Sequence, residues 1–381
     1  MNDDFADIRP YRDEEVEFVL QQLLQDRDFL DAIARFRLNW VHRTMPALAR
    51  ATVKWRLGSG FKNYRSIRDI QLSVENYMDH CLQTSAAEVT VDGVDKLDAQ
   101  TTYLFLCNHR DIVMDPALCN LFLHKAGRDT FRIAIGDNLL KREYSSHLMR
   151  LNKSFIVKRS IESRREKLLE LKRLSAYIRQ SLNRDNQSVW IAHREGRSKD
   201  GWDKTDTALL KMLNLSGEKT ASFGEKSAEL RMVPTSISYE WDPCDRMKAI
   251  ELAALERNGS YSKSEFEDVN SIAHSILDAK GDIHVSFGQV LGDEFDSAEA
   301  LAIEVDRQII GNYRQHKSNL AAYRLLEGHV PDAWALADSD FELARTELER
   351  RCEGLHELER NKLLQSYANP VRNWLRLHRV I

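Results

Sequence analysis

The feature that most constrains this chain is an alternation of short apolar stretches with helical patterns between residues 86 and 295. Strand-like stretches are followed by segments in which apolar residues recur at helical spacing. This alternation predicts an α/β fold with a mixed, largely parallel sheet flanked by helices. The strand-like stretches are Glu88–Val94, Tyr103–Cys107, Phe131–Ile135, Ser154–Val157, Ser188–Ala192, Met232–Tyr239 and Asp282–Phe287.

Helical patterns without strands occupy both ends of the chain. We therefore expect an N-terminal helical region over residues 1–85, an α/β domain over 86–295 and a C-terminal helical extension over 296–381. No repeat, low-complexity tract or linker rich in Pro, Gly or Ser separates the three parts. The helical ends are therefore expected to pack on one core. A composition that is 43% hydrophobic and 30% charged suits a folded soluble protein.

Charge and cysteine usage exclude several classes of function. The net charge of −4 gives no global basic field for nucleic acid, so any anion site has to be local. Five scattered cysteines without a C-x-x-C pair argue against zinc and disulfides and favour a reducing compartment. No stretch approaches the roughly 20 apolar residues of a membrane span, and the acidic N-terminus predicts no signal peptide. We expect a cytoplasmic protein whose membrane contact, if any, is peripheral on the inner face.

One N-terminal segment combines basic and aromatic residues. Such a combination on helices can mark an element that lies on a membrane surface. It is also typical of a helical layer that packs on the main domain and leaves a basic face in solvent. Because the amphipathic pattern is not clean, we favour the second interpretation. The residues concerned are Arg35, Phe36, Arg37, Trp40, Arg43, Arg50, Lys54, Trp55 and Arg56.

Four polar clusters follow the predicted strands or lie within them. The carboxyl ends of parallel strands share one edge of a sheet, so the first three clusters are expected to converge there. His109 is a candidate general base because imidazole titrates near neutral pH, and Asp111 or Asp115 could fix its tautomer. A histidine after a strand, taken alone, is more often structural than catalytic. The clusters are Asn108–Asp115, Asn152–Ser160, His193–Gly201 and Val233–Glu240.

The second and third clusters are rich in cations. Planar guanidinium groups suit bidentate phosphate binding, and Gly196 allows close backbone approach or a positive φ. Either Arg159 or Arg197 alone would more often form a surface ion pair. Together with His109 they indicate a base that faces a phosphate-bearing hydroxyl compound. The cations are Lys153, Lys158, Arg159, Arg194, Arg197 and Lys199.

The four clusters, in this order, resemble the four sequence blocks of the glycerolipid acyltransferases, which include glycerol-3-phosphate and lysophosphatidic acid acyltransferases. The similarity covers roughly Val89–Glu240, and the set is specific although each block alone is not. The matching segments are Asn108-His109 to Asp115, Phe155–Arg159, Glu195-Gly196-Arg197-Ser198, and Val233-Pro234 with Ile237.

The resemblance implies an acyltransferase that moves a fatty acyl group from acyl-CoA or acyl carrier protein to the hydroxyl of glycerol-3-phosphate or a lysophospholipid. His109 would deprotonate that hydroxyl, whose oxygen attacks the thioester directly, and an aspartate would orient His109. The resemblance implies no metal and no cofactor besides the acyl donor. The residues expected to bind substrate are Lys153, Arg159, Glu195, Gly196, Arg197, Ser198 and Pro234.

The chain departs from the family pattern at two places. The family has four residues between its His and Asp, whereas five separate His109 from Asp115. His193-Arg194 stands where the family usually has an aromatic residue and a proline. We favour Asp115 over Asp111 because its Asp-Pro-Ala-Leu context matches the family's helix start. The longer gap also leaves open a catalytically silent lipid-binding or membrane-associating protein that keeps the fold.

Other catalytic motifs do not fit. His109-Arg110-Asp111 imitates a kinase catalytic loop, but Pro116 occupies the position of the metal-binding Asn, and no Gly-rich loop precedes it. The chain has no G-x-S-x-G, P-loop or H-E-x-x-H motif. Cys107 could act as a nucleophile beside His109, but cysteines in strands are usually buried and inert.

Overall fold

The structure, a computed structural model, describes residues 3–264 and 267–379. Met1, Asn2, Val380 and Ile381, the outermost residues of the predicted terminal regions, lie outside the described residues. The strands are β1 (Ala86–Asp92), β2 (Leu104–Cys107), β3 (Arg132–Gly136), β4 (Ser154–Val157), β5 (Val189–Ala192), β6 (Met232–Tyr239) and β7 (Gly281–Phe287). The helices are α1 (Asp13–Gln25), α2 (Arg27–Arg37), α3 (Asn39–Thr44), α4 (Pro46–Phe61), α5 (Ile67–Ser85), α6 (Met114–Lys125), α7 (Glu143–Leu151), α8 (Arg164–Asn183), α9 (Thr207–Leu213), α10 (Phe223–Ala228), α11 (Asp245–Asn258), α12 (Glu267–Leu277), α13 (Ala298–Gly311), α14 (Lys317–Glu327), α15 (Asp338–Arg351) and α16 (Glu357–Leu377).

The chain divides into two compact units, whose boundaries fall within α5 and within α8. The first unit comprises Met1–Tyr77 and Arg132–Glu170, and the second comprises Met78–Phe131 and Leu171–Ile381. Each unit is a separate body with its own buried side chains, and each is described by itself below.

The second unit is built on strands in the order β1-β7-β6-β2-β5. β2 lies between β5 and β6 and is parallel to both, with Leu104 opposite Val189 on one side and Met232 on the other. β1 and β7 are also parallel, whereas β6 and β7 are antiparallel. All four residues of β2 are buried, as a central parallel strand covered on both faces requires. The strand therefore has fixed neighbours up to the residue at which its polar cluster begins.

The C-terminal helices of the second unit share a core with α11. Buried residues of α14, α15 and α16 pack together, and Ala249 of α11 belongs to the same cluster. Among the larger side chains of this core are Leu320, Leu348, Leu363, Tyr367 and Val371. The helices after residue 296 therefore belong to the same compact unit as β2.

The first unit combines the helices α1–α4 and α7 with the parallel pair β3–β4. Its helices bury Val16, Leu20 and Leu23 of α1 against Phe29 and Leu30 of α2. Ala49 and Val53 of α4 and Leu151 of α7 complete the same core. The N-terminal region is thus helical with an apolar interior, as its periodicity predicts.

The predicted fold class is confirmed. The sheet is mixed and largely parallel, helices flank it, and both terminal regions are helical. Of the helices within residues 3–264 and 267–379, none has both the length and the apolar character needed to cross a bilayer.

Candidate active site

The carboxyl end of β2 holds the first polar cluster in place through Asn108. The Asn108 side-chain amide donates to the Ile237 carbonyl at 3.0 Å, and its oxygen accepts from the Ile237 amide at 2.8 Å. This side chain continues the pairing of β2 with β6 for one more position and is fully buried. The backbone is therefore fixed immediately before His109.

His109 forms a hydrogen bond with Asp115, the carboxylate that the sequence favours as its partner. His109 Nδ1 lies 2.8 Å from Asp115 Oδ2, and the same oxygen accepts from the backbone amides of Arg110 at 2.6 Å and Asp111 at 2.8 Å. Asp115 Oδ1 accepts from the Tyr239 hydroxyl at 2.7 Å. The Asp115 side chain is fully buried, whereas the His109 side chain is 16% exposed. A fully bonded carboxylate therefore lies behind an imidazole that still reaches solvent.

This arrangement fixes the tautomer of His109. An ionised carboxylate only accepts hydrogen bonds, so Nδ1 carries the proton and Nε2 presents a lone pair. Burial and the neighbouring Asp115 charge raise the pKa of Tyr239 well above its usual value, which keeps Tyr239 a donor. Asp115 also lies in the first turn of α6, where the helix dipole favours negative charge.

Asp111, the other candidate partner, binds the backbone at the start of α6 instead. Its Oδ1 accepts from the backbone amides of Val113 and Met114, both at 2.9 Å. Burial, with the neighbouring Asp115 charge, raises the pKa of Asp111. The extra residue between His109 and Asp115 is accommodated because the loop turns over Asp111 before the helix begins. The carboxylate of Asp115 then points back under the loop and accepts hydrogen bonds from the backbone amides of Arg110 and Asp111.

Arg110 connects the first cluster to the segment that directly follows the third cluster. Its guanidinium forms a buried bidentate pair with Asp203, at 3.0 and 2.6 Å, and lies over the Tyr313 ring. The Arg110 carbonyl accepts from Lys248 Nζ at 2.7 Å. Removing one partner of such a buried ion pair lowers the free energy of unfolding by roughly 3–5 kcal/mol. Arg110 therefore helps to fix the position of the loop that carries Asp203.

The third cluster lies beside His109 in the second unit. The Ser198 amide donates to the His109 carbonyl at 2.7 Å, and Ser198 Oγ donates to the Trp202 carbonyl at 2.8 Å. Gly196 has a φ of +77°, the left-handed conformation that glycine adopts without strain. Glu195 and Gly196 are exposed, whereas Ser198 is buried. The structure thus brings Ser198 into contact with the backbone of His109, and Glu195 and Gly196 precede Ser198 in the same loop.

Arg197 and Lys199 have neighbours in helices α12 and α11. Arg197 is partly buried, and its Nη1 donates to Ser271 Oγ at 3.4 Å, a long bond that uses one of its five N–H donors. Lys199 forms an ion pair with Glu251. Arg197 therefore retains donors with which to bind an anion, while the charge of Lys199 is already compensated.

Helix α16 holds the end of this loop. Asn369 Nδ2 donates to the Asp200 carbonyl at 2.6 Å, and Asn373 Nδ2 donates to the Gly201 carbonyl at 3.1 Å. Gly201 has a φ of +77°, and a Cβ there would lie 2.1 Å from the Ser366 carbonyl oxygen. The loop and the helix approach too closely for any side chain at residue 201.

A second histidine, His193, is buried where β5 ends. Its amide donates to the Cys107 carbonyl at 2.8 Å, and Nδ1 lies 3.2 Å from Thr205 Oγ1. Thr205 donates to Asp306 from its amide at 2.8 Å and from its hydroxyl at 2.6 Å. Burial, with the positive charge of Arg194 and Arg110, lowers the pKa of His193 well below its usual value. His193 is therefore a neutral, structural residue at neutral pH.

The remaining predicted binding residues are Pro234, Lys153 and Arg159. Pro234 is buried within β6. Lys153 and Arg159 belong to the first unit. Lys153 precedes β4 with a φ of +58°, and Arg159 follows β4 with its amide 3.2 Å from Asp137 Oδ2. The Arg159 guanidinium lies against Gly136, where a Cβ would be 3.0 Å from its Cζ. Arg159 is thus at the carboxyl end of the β3–β4 pair.

Two other kinds of site, a cysteine nucleophile at Cys107 and a metal centre, were compared with the described residues. Cys107 is fully buried, and burial raises the pKa of its thiol well above the usual value. Within residues 3–264 and 267–379, no three His, Cys, Asp or Glu side chains are grouped as a metal site needs. His109 with Asp115 therefore stays the candidate catalytic pair.

Sequence reasoning did not assign a role to several residues that support the site. Tyr239 ends the predicted strand β6, and its position at a strand end was a usable signal. Asp203 follows the third cluster by two residues and shows no motif. Asn369 and Asn373 are distant in sequence, and local pattern does not connect them to a loop near residue 200.

Comparison with known proteins finds a family model that matches part of the chain. Residues 88–226 match the family model described as Acyltransferase. No curated protein matches the chain significantly. Among solved structures, the 1-acyl-sn-glycerophosphate (LPA) acyltransferase PlsC from Thermotoga maritima is similar, with 14% identity and a TM-score of 0.35, over 74% of this chain and 93% of that chain.

Proposed function

We propose, because residues 88–226 match the Acyltransferase family model, that the protein transfers a fatty acyl group from a thioester donor to an acceptor hydroxyl. The observation that carries the proposal is the 2.8 Å hydrogen bond between His109 Nδ1 and the buried Asp115 carboxylate. It leaves Nε2 as a base on an imidazole that is 16% exposed. A histidine held in this way suits general-base catalysis.

The reaction would proceed by addition of the acceptor oxygen to the thioester and expulsion of the thiolate, with proton transfer to and from His109. His109 Nε2 takes the proton of the acceptor hydroxyl while the oxygen attacks the thioester carbonyl carbon. The tetrahedral intermediate expels the thiolate, which recovers the proton from His109, and the product is an ester and a free thiol. Asp115 remains ionised and stabilises the imidazolium that forms between the two steps.

Acyl-CoA or acyl carrier protein is the proposed donor, and glycerol-3-phosphate or a lysophospholipid is the proposed acceptor. Arg197 supports a phosphorylated acceptor, because it lies in the loop beside His109, directly before Ser198, and retains guanidinium donors. We also assign Arg159 and Lys153 to acceptor binding, by their place in the family's second block. Five free cysteines support a reducing compartment such as the cytoplasm.

The competing hypothesis is a catalytically silent lipid-binding or membrane-associating protein that retains the fold, and it depends on the extra residue between His109 and Asp115. The loop absorbs that residue and keeps the two side chains hydrogen-bonded.

The test is an acyl-transfer assay on the purified protein. Labelled acyl-CoA and acyl carrier protein donors are offered with glycerol-3-phosphate and a panel of lysophospholipids, and ester formation and thiol release are both measured. His109→Ala should lower turnover by about 10²–10⁴-fold, the usual contribution of a general base. His80→Ala, at an exposed histidine of α5, is the matched control and should leave turnover unchanged. Near-native turnover in His109→Ala would end the proposed mechanism.

A further inference from the structure

Trp190 of β5 lies against the ring of the proposed base. The centroids of the Trp190 and His109 rings are 5.6 Å apart, and the two ring planes meet at 75°. Edge-to-face contacts at such a separation are a preferred geometry of aromatic pairs. Trp190 is 3% exposed, whereas the His109 side chain is 16% exposed. A buried indole therefore contacts an imidazole that still reaches solvent.

The sheet holds Trp190 in place. β5 pairs with β2 in parallel, and Trp190 is opposite Phe105 in the register. All four residues of β2 and the first three of β5 are buried. Side chains on such strands are close-packed, so a large ring among them has little freedom to change its rotamer. Trp190 is therefore a rigid neighbour for the side chain of His109.

The hydrogen bond to Asp115 fixes one atom of the imidazole but not the plane of the ring. His109 Nδ1 lies 2.8 Å from Asp115 Oδ2, and a hydrogen bond keeps much of its strength over a range of angles. The terminal torsion of a histidine side chain is also broad, without sharp rotamer wells. A ring held only at Nδ1 would let Nε2, the proposed base, change its direction. A second contact on the ring is needed to aim Nε2, and Trp190 makes such a contact.

The indole N–H of Trp190 indicates that core packing alone does not account for this residue. Among the residues that the structure describes, Trp190 Nε1 is buried without a hydrogen-bond partner. Burial raises the pKa of the Cys107 thiol well above its usual value, and the nearby indole N–H acts in the opposite direction, but sulfur is only a weak acceptor. An unpaired buried donor destabilises a folded protein, and phenylalanine would bury a ring without one. The chain thus keeps an indole, at a cost in stability, at the place where a large ring reaches His109.

We infer that Trp190 is a positioning residue, which holds the plane of the His109 imidazole so that Nε2 faces the acceptor hydroxyl. The inference rests on the proposed acyl transfer, in which Nε2 takes the proton of that hydroxyl. Asp115 sets the tautomer of His109, and Trp190 sets the orientation of its ring. Trp190 acts on the reaction through His109, so its loss should affect the chemical step rather than the binding of either substrate.

The first experiment measures kcat and KM of Trp190→Leu and Trp190→Phe in the acyl-transfer assay. Leucine has no ring, so kcat of Trp190→Leu should fall by roughly 10–10²-fold, because misplacing a catalytic group by about 1 Å can cost 10²-fold. The KM values for donor and acceptor should stay within about threefold of native, because a general base acts in the transition state. Phenylalanine restores an aromatic edge, so Trp190→Phe should recover part of the lost kcat.

Trp334→Leu is the matched control. Trp334 is a partly buried tryptophan of the second unit, and its ring centroid lies 4.6 Å from that of Trp374. Leucine at this position removes aromatic packing from the core of the C-terminal helices and should leave kcat unchanged. Denaturant unfolding of all the variants separates a loss of stability from a loss of positioning.

The second experiment observes the His109 ring by NMR and needs no activity. In protein whose histidines are isotope-labelled at Cε1, the resonance that is missing from His109→Ala belongs to His109. The ring current of Trp190 shifts this resonance in the native protein. In Trp190→Leu the resonance should move and broaden, because the imidazole loses the contact and becomes mobile, whereas Trp334→Leu should leave it in place.

Two results would overturn the inference and leave the proposed function intact. In the first, Trp190→Leu keeps native kcat although His109→Ala is inactive. In the second, the His109 resonance is the same in Trp190→Leu as in the native protein. A loss of kcat that Trp334→Leu shares, in proportion to lost stability, would also overturn it, since the role would then be structural. A native protein that transfers no acyl group would instead refute the proposed function, and with it the catalytic purpose assigned to Trp190.

Discussion

Asp115 accepts four hydrogen bonds, three of them on one oxygen, and an amide at this position cannot accept them all. In Asp115→Asn, the Nδ2 group would replace either the oxygen that faces His109 Nδ1 or the one that faces Tyr239. The expected result is a loss of turnover of about 10²–10⁴-fold, because the imidazole loses the partner that sets its tautomer. Steady-state kinetics with the donor and acceptor of highest activity measures the loss.

Asp111→Asn is the matched control for this prediction. Asparagine still caps a helix through its Oδ1, so the bonds to Val113 and Met114 persist and turnover should stay within a few-fold of native. If Asp111→Asn is inactive and Asp115→Asn is active, the roles of the two aspartates are the reverse of those proposed here.

At the scale of residues, sequence could predict His109 and rank Asp115 above Asp111, because both belong to one short segment. The ranking depends on a family resemblance, and residues 88–226 match the Acyltransferase model. Tyr239 could not be ranked in the same way. It is more than one hundred residues away along the chain, and only the pairing of β2 with β6 brings its hydroxyl to Asp115.

At the scale of elements, the bounds of β4 and β6 agree with those read from the sequence, since charged residues flank both strands, Lys153 and Lys158 for β4 and Arg231 and Glu240 for β6. The outward stripe of α4 was harder to recognise. Leu48 and Trp55 lie opposite Ala49 and Val53, so apolar residues occur on both sides of the helix and no single amphipathic face stands out.

Helix α16 yields a prediction about the loop of the third cluster. Asn369 and Asn373 are almost fully buried and donate to the carbonyls of Asp200 and Gly201. In Asn369→Ala with Asn373→Ala, those carbonyls lose their partners, at about 1–3 kcal/mol for each buried group left unsatisfied. We expect the loop to become mobile and the KM for a phosphorylated acceptor to rise at least tenfold, with a smaller change for the acyl donor.

The control for this prediction lies on the same helix. Asn361→Ala, at an exposed position, should change neither KM. Limited proteolysis should cleave the double variant between residues 194 and 201 faster than the native protein. Equal KM increases for donor and acceptor would mean that α16 supports the site as a whole rather than this loop.

At the scale of the whole molecule, the helices after residue 296 are more than an appendage to the α/β domain. α13 and α16 both contact the loop that follows β5, through Asp306 and through the two asparagines. Periodicity could predict that these segments are helical. It could not predict which carbonyls and hydroxyls they bind, because those contacts join residues about 100 to 170 positions apart.

Asp306 links stability to pH in a direction that can be measured. Burial, with the nearby Asp203 charge, raises the pKa of Asp306 from 3.8 to about 6. The folded state therefore holds this proton more tightly than the unfolded chain. The stability contributed by the protonated form is fully present below about pH 4 and is lost as the pH rises through about 6. At higher pH this group no longer changes the free energy of unfolding.

Asp306→Asn removes the buried charge and can keep both bonds from Thr205, since the amide oxygen accepts as well. The variant should be more stable than the native protein at pH 7.5 by about 1–3 kcal/mol, the upper bound being the full shift in pKa. Denaturant unfolding should show this difference shrinking toward zero near pH 4. Asp332→Asn, at an exposed aspartate, should show no such trend. A variant less stable than native at pH 7.5 would mean that the ionised carboxylate stabilises the link between α13 and the loop after β5.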